Sequence, residues 1–87
     1  MSGAWQFVIH QQAWESSERL RGREKQELKA GLQKLLADPH QRPHAEIRSP
    51  TERTYSVMHI GHFRVVYWLD AFPEEIRLVK IERIRPR

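Results

Sequence analysis

An imidazole and a guanidinium face one another in the stretch TYSVMHIGHFRVVYWLD, residues 54–70. Gly61-His62 reads as a two-residue hairpin corner of the Gly-X kind. Counting back from it, Ile60 faces Phe63, His59 faces Arg64, Val57 faces Val66 and Tyr55 faces Trp68. Imidazole is the side chain whose ordinary ionisation falls near neutral pH. Guanidinium is a permanent cation whose planar fork fits carboxylate and phosphate oxygens. His59 beside Arg64 is therefore a pair that can hold an anion and exchange a proton next to it.

Side chains on a strand alternate between its two faces. One face of the hairpin carries Met58, Ile60, Phe63, Val65, Tyr67 and Leu69, which is a core pattern. The other carries Tyr55 and Trp68 at one end, and His59 with Arg64 at the turn end. The rest of the chain must cover the first face and leave the second open. Trp5, Phe7 and Ile9 alternate with Gln6, Val8 and His10, which predicts a short leading strand. A first helix is expected from Gln11 or Gln12 to about Arg21, with Ala13, Trp14, Ser17 and Leu20 as a thin stripe. Gly22 breaks it. A second helix follows, with Leu28, Leu32, Leu35 and Leu36 at i, i+4, i+7 and i+8. Asp38-Pro39 ends it, because the residue before proline resists the helical region. His40 to Pro50, with mixed polar residues and two prolines, reads as a loop. A last strand runs from Ile76 to about Ile84. Its apolar parity changes between Leu78 and Val79, which suggests burial on both faces or a bulge. The order strand, helix, helix, strand, strand, strand predicts one α+β domain over residues 1–87: an antiparallel sheet with a helix hairpin on one face.

Composition narrows the partners. The 87 residues hold no cysteine, which excludes a disulfide framework and a thiolate metal site and fits a reducing cytoplasm. No two of the five histidines share a predicted helix at i, i+4, so no metal or other cofactor is expected. No secretory leader or membrane span is legible. Fifteen Lys and Arg against eleven Asp and Glu give a net charge of +4. That balance suits a polyanionic partner, nucleic acid or an acidic protein segment. Arginine concentrates in the tail Arg83-Ile84-Arg85-Pro86-Arg87.

The sequence resembles the RelE/ParE superfamily of type II toxin–antitoxin toxins. The residues that carry the resemblance are Leu32-Gln33-Lys34-Leu35-Leu36-Ala37-Asp38-Pro39, Tyr55-Ser56-Val57, Gly61-His62-Phe63-Arg64-Val65-Val66-Tyr67 and Ile81-Glu82-Arg83-Ile84-Arg85. The Gly-x-aromatic-Arg-Val-Val-Tyr run is the most specific of them. The resemblance implies a cytoplasmic, metal-independent poison neutralised by a cognate antitoxin. RelE-like members cleave mRNA on the ribosome, whereas ParE-like members inhibit DNA gyrase without being nucleases; attenuated, non-toxic members form a third class.

Cleaving RNA without a metal requires a base for the 2′-hydroxyl, cations for the phosphorane and an acid for the leaving oxygen. The resemblance assigns phosphate stabilisation to Arg64, joined by Arg83 and Arg85 if the last strand returns beside it on the same face. His59 becomes the base or acid. Glu46 and Glu52 are alternative bases in the manner of the YoeB branch. Arg53, Tyr55, His62 and Trp68 complete an RNA-binding set, each with a plainer reading beside it. Arg53 opposite Asp70 reads as a surface ion pair, His62 as a turn residue, and Tyr55 with Trp68 as a structural aromatic pair or an antitoxin contact. Arg64 itself has a structural reading, a pair with Glu82. Where the nuclease branch carries lysines on the second strand, this sequence has Ser56 and Met58. The nuclease branch also places a Tyr or His near the C-terminus; after His62 this sequence has only Tyr67, assigned here to the core.

Overall fold

The computed structural model describes residues 5–50 and 53–84. The order is β1 (Gln6–Ile9), α1 (Gln11–Glu18), α2 (Gly22–Ala37), β2 (Ala45–Arg48), β3 (Thr54–Ile60), β4 (Phe63–Asp70) and β5 (Glu75–Arg83). The strands form one sheet in the order β1-β5-β4-β3-β2. Helix α1 lies over β5 and α2 over β3. The α+β class and the helix hairpin on one face are as expected. Among the described residues, no helix is long and apolar enough to cross a membrane.

The hairpin register is the predicted one: Ile60 opposite Phe63, His59 opposite Arg64, Val57 opposite Val66. Gly61 at φ +58° makes the corner, while His62 stays out of the left-handed region, the Gly-first loop whose twist suits antiparallel strands. Met58, Ile60, Phe63, Val65 and Tyr67 all join the core, together with Leu28 and Leu35 of α2, Ala13 of α1, and Ile76, Leu78 and Ile81 of β5. Helix α2 approaches the sheet closely at Gly31. A Cβ there would lie 2.3 Å from Ile60 Cγ2, so this position has room only for glycine. The end of α2 is tied down as Asp38-Pro39 suggests. The Asp38 N–H bonds back to the carbonyls of Lys34 and Leu35, and the Gln41 amide donates to the carbonyls of Lys34 and Asp38.

Four expectations are corrected. The sheet is mixed rather than antiparallel, because β1 runs parallel to β5 with Phe7 beside Ile76 and Ile9 beside Leu78. The segment expected to be a loop contains β2, paired with β3 from Ala45–Val57 to Arg48–Thr54. All four residues of β2 are exposed, as befits an edge strand too polar to announce itself by burial. Helix α1 ends at Glu18, short of Arg21. Finally, Trp14 of the expected α1 stripe is 52% exposed, while Ala13 and Leu20 carry the packing.

Candidate functional site

The face of the sheet opposite the helices carries a polar row that crosses three strands. His59 on β3 pairs with Arg64 on β4, and Arg64 with Glu82 on β5. Paired residues share a face, so the imidazole, the guanidinium and the carboxylate stand side by side. Arg64 Nη1 lies 3.6 Å from Glu82 Oε2, with both side chains well exposed. Glu82 is also 4.0 Å from Lys80 Nζ. Below the row, Val57 and Val66 are buried under their neighbours on this face and give it a firm floor.

A β-bulge decides which C-terminal cations join this row. The register slips between Val66 and Tyr67: Val66 pairs with Lys80 but Tyr67 with Leu78, leaving Val79 as the extra residue. One inserted residue reverses the facing of everything after it. Ile76, Leu78, Ile81 and Arg83 therefore share the helix-covered face, and Lys80 and Glu82 take the open one. The expected convergence of Arg83 with Arg64 is corrected on this ground. Arg83 pairs with Phe63, on the opposite side from Arg64. Its guanidinium sits 5.0 Å from the Phe63 ring and grips Glu24, in the first turn of α2, with both nitrogens at 2.5 and 3.0 Å. Arg85 and Glu52 lie outside the described residues.

The Glu24 carboxyl is held below its ordinary range, first by the hydrogen bond from Arg83, then by the charges of Arg83 and His62. Arg83 is pushed upward by the same bond. A carboxyl whose ionisation is lowered by folding stabilises the native state at pH above the usual carboxylate range, about 4.3, and loses that contribution as pH falls through its folded value. Glu24→Gln should therefore lower the melting temperature slightly at neutral pH, by an amount that shrinks as pH falls through the carboxylate range. Melting curves of both proteins from neutral pH into acid would check it; a difference that does not shrink would contradict the assignment.

The remaining predicted residues divide between the faces. Glu46 pairs with Ser56, and Ser56 with Tyr67, so Glu46 belongs to the helix side and is no base for Arg64's site. Ser56 and Met58 share that side. Burial pushes the Tyr67 hydroxyl upward, partly offset by its hydrogen bond with Ser56, in keeping with a core tyrosine. His62 is exposed at the hairpin corner, and its charge is felt by Glu24. Beyond Ser56 and Tyr67 on the hairpin come Tyr55 and Trp68, both half-buried. Arg53 stacks its guanidinium 3.7 Å above the Trp68 ring rather than meeting Asp70. Asp70 instead lies 3.4 Å from Arg77, which also bonds Glu75 at 2.8 Å and approaches Trp68 at 5.4 Å. One face of the indole is thus already covered by a cation, which favours the structural reading of the aromatic pair.

Two residues at the row were not foreseen. Lys80 follows from the bulge. His44 follows from the chain path: β2 stops at Ala45, so the N–H of His59 is free of strand pairing, and His44 Nδ1 accepts it at 2.9 Å. The two imidazole rings stack 5.0 Å apart and within 8° of parallel. Beside them opens a cleft of about 470 Å³ between α2 and the edge of β3, walled by Glu27, Lys34 and Gln41.

No protein-family model matches the sequence, and no curated protein matches it. Solved structures do match its shape. A chain of the archaeal RelE–RelB complex from Pyrococcus horikoshii OT3 superposes with a TM-score of 0.72 at 16% identity, over 92% of this chain and 94% of that one. The isolated E. coli RelE toxin gives 0.75 at 13% identity, over 93% and 85%. A chain of the intact E. coli RelBE toxin–antitoxin complex gives 0.59 at 15% identity, over 93% and 96%.

Proposed function

From a chain with the fold of the RelE toxins, we propose the toxin component of a type II toxin–antitoxin system that cleaves mRNA without a metal. The observation that carries this reading is the His59–Arg64 pair on the open face of the sheet. His59 takes the 2′-hydroxyl proton as the 2′-oxygen attacks phosphorus, Arg64 neutralises charge developing on the phosphorane, and the 5′-oxygen leaves with a proton from water. Lys80 adds a second cation on the same face. The Arg64–Glu82 contact is long and exposed, so a phosphate can displace the carboxylate at little cost. RNA bound on a ribosome would reach this face without disturbing the helices.

The antitoxin side of the proposal draws on the neighbours, two of which were solved as toxin–antitoxin complexes. Where the two helices meet β1, Trp14 with Phe7, Leu28, Leu32 and Leu36 lines an apolar groove of about 400 Å³, rimmed by Lys25 and Lys29 with Glu18. An amphipathic antitoxin helix with acidic flanks fits such a surface.

A second reading, a non-enzymatic gyrase inhibitor, is favoured by one observation. Arg83 is engaged with Glu24 behind the sheet, which leaves Arg64 and Lys80 as the only described cations in the row. Expression of the lone chain in a bacterium separates the two. The nuclease reading expects fragmented mRNA and arrested translation. Filamentation and a DNA-damage response with intact mRNA would support the gyrase reading. Unimpaired growth would contradict both.

A further inference from the structure

We propose that His44 is a positioning residue for His59, holding its ring ready for proton transfer; this rests on the nuclease reading above. Three observations bear on it. The His59 N–H donates to His44 Nδ1 at 2.9 Å, so the ring proton of His44 sits on Nε2. The His44 N–H in turn donates to the Val57 carbonyl at 2.9 Å, so the residue is anchored at both its backbone and its ring. The rings lie parallel at 5.0 Å, so His44 forms a wall against which the His59 imidazole rests.

The wall matters because His59 is otherwise exposed. A free imidazole at the surface samples several rotamers, and only those that aim a nitrogen along the row toward Arg64 can serve a substrate held there. A flat partner on one side removes rotamers that swing away from Arg64. The segment carrying His44 is itself fixed, since Gln41 is hydrogen-bonded to the end of α2. The charged groups around the pair are Glu27 and Lys34 from α2, Arg64 from β4 and, behind Arg64, Glu82 from β5. None of them bonds either ring among the described contacts, which leaves the histidine–histidine contact as the orienting one. His44 acts on His59 and is not itself asked to touch RNA. The backbone bond fixes the tautomer and place of His44, and the stacked face of that ring is what His59's imidazole rests on.

The test combines single-turnover cleavage of a defined mRNA on programmed ribosomes with nitrogen-15 spectra of the histidines in the free protein. Variants are His44→Phe, which keeps a ring and loses the acceptor, His59→Ala, and the two together; melting curves establish that each is folded. The expected spectra show His44 as the Nε2–H tautomer. Cleavage should fall roughly 10- to 100-fold in His44→Phe, the scale of a misplaced catalytic group. Because His44 works through His59, adding His44→Phe to His59→Ala should cost nothing further. An Nδ1–H tautomer at His44, full activity of His44→Phe, or losses that multiply in the double variant would each overturn the proposal. Wild-type protein that leaves the mRNA intact would instead overturn the nuclease reading on which it stands.

Discussion

Arg64→Ala is expected to reduce mRNA cleavage by about 10²–10³-fold, the usual cost of removing one preorganised group that stabilises charge in the transition state. Its effect on folding should be slight. The only ion pair that Arg64 makes among the described residues is the 3.6 Å contact with Glu82, and the side chains are 45% and 39% exposed. Exposed pairs of this kind contribute between about 0 and 1 kcal/mol. The two quantities therefore separate: a cleavage assay should collapse while the melting temperature barely moves. Arg64→Lys should fall between, since it keeps the charge and loses the planar fork that can grip two phosphate oxygens. Cleavage unchanged in Arg64→Ala would remove the phosphate-binding role from this position.

The second large effect is on stability. Leu35 is 1% exposed, at the centre of the contact between α2 and the sheet. Leu35→Ala should destabilise the fold by about 2–5 kcal/mol, from lost burial plus the cavity left behind. A domain of this size has only about 5–15 kcal/mol in total, so the melting temperature should drop on the order of 15 °C. Trp14→Ala supplies the contrast. Trp14 is 52% exposed, and its removal should cost less, about 1 kcal/mol. Urea titration of both variants measures the difference directly. Equal losses would mean that Trp14 packs as its place in the α1 pattern suggested.

The sequence made the hairpin legible because two independent signals agree there. A period of two runs along both strands, and the Gly61-His62 corner fixes how they pair. Helix α2 was equally clear from its leucine spacing and the Asp38-Pro39 stop. What escaped notice depends on pairings between distant parts of the chain. Nothing in Gln6–Ile9 says that β1 will lie parallel to β5, since alternation specifies faces and not neighbours. Strand β2 is four exposed residues flanked by Pro43 and Pro50, and only its pairing with β3 makes it a strand.

The site was partly legible for the same reasons. His59 opposite Arg64 follows from local register and stands. The placement of Arg83 did not, although the signal was present. Ile81 has the buried parity after the bulge, and Arg83, two residues on, must share its face; carrying that parity through would have chosen Lys80 and Glu82 for the open side. His44 gave no such signal. Its role exists because the chain returns from the end of α2 to the one stretch of β3 that β2 leaves unpaired, a closure that no spacing in the sequence reports.

The most direct measurement is the chemistry of the cut itself. Purified protein, freed of any antitoxin, would be added to ribosomes programmed with an mRNA, and with the same mRNA carrying a single 2′-deoxy nucleotide at the mapped cleavage position. Attack by the 2′-hydroxyl, assisted by His59 and Arg64, predicts cleavage of the first with a 2′,3′-cyclic phosphate end and none of the second at that position. Equal cleavage of both, or intact mRNA alongside inhibited DNA supercoiling by gyrase, would contradict it.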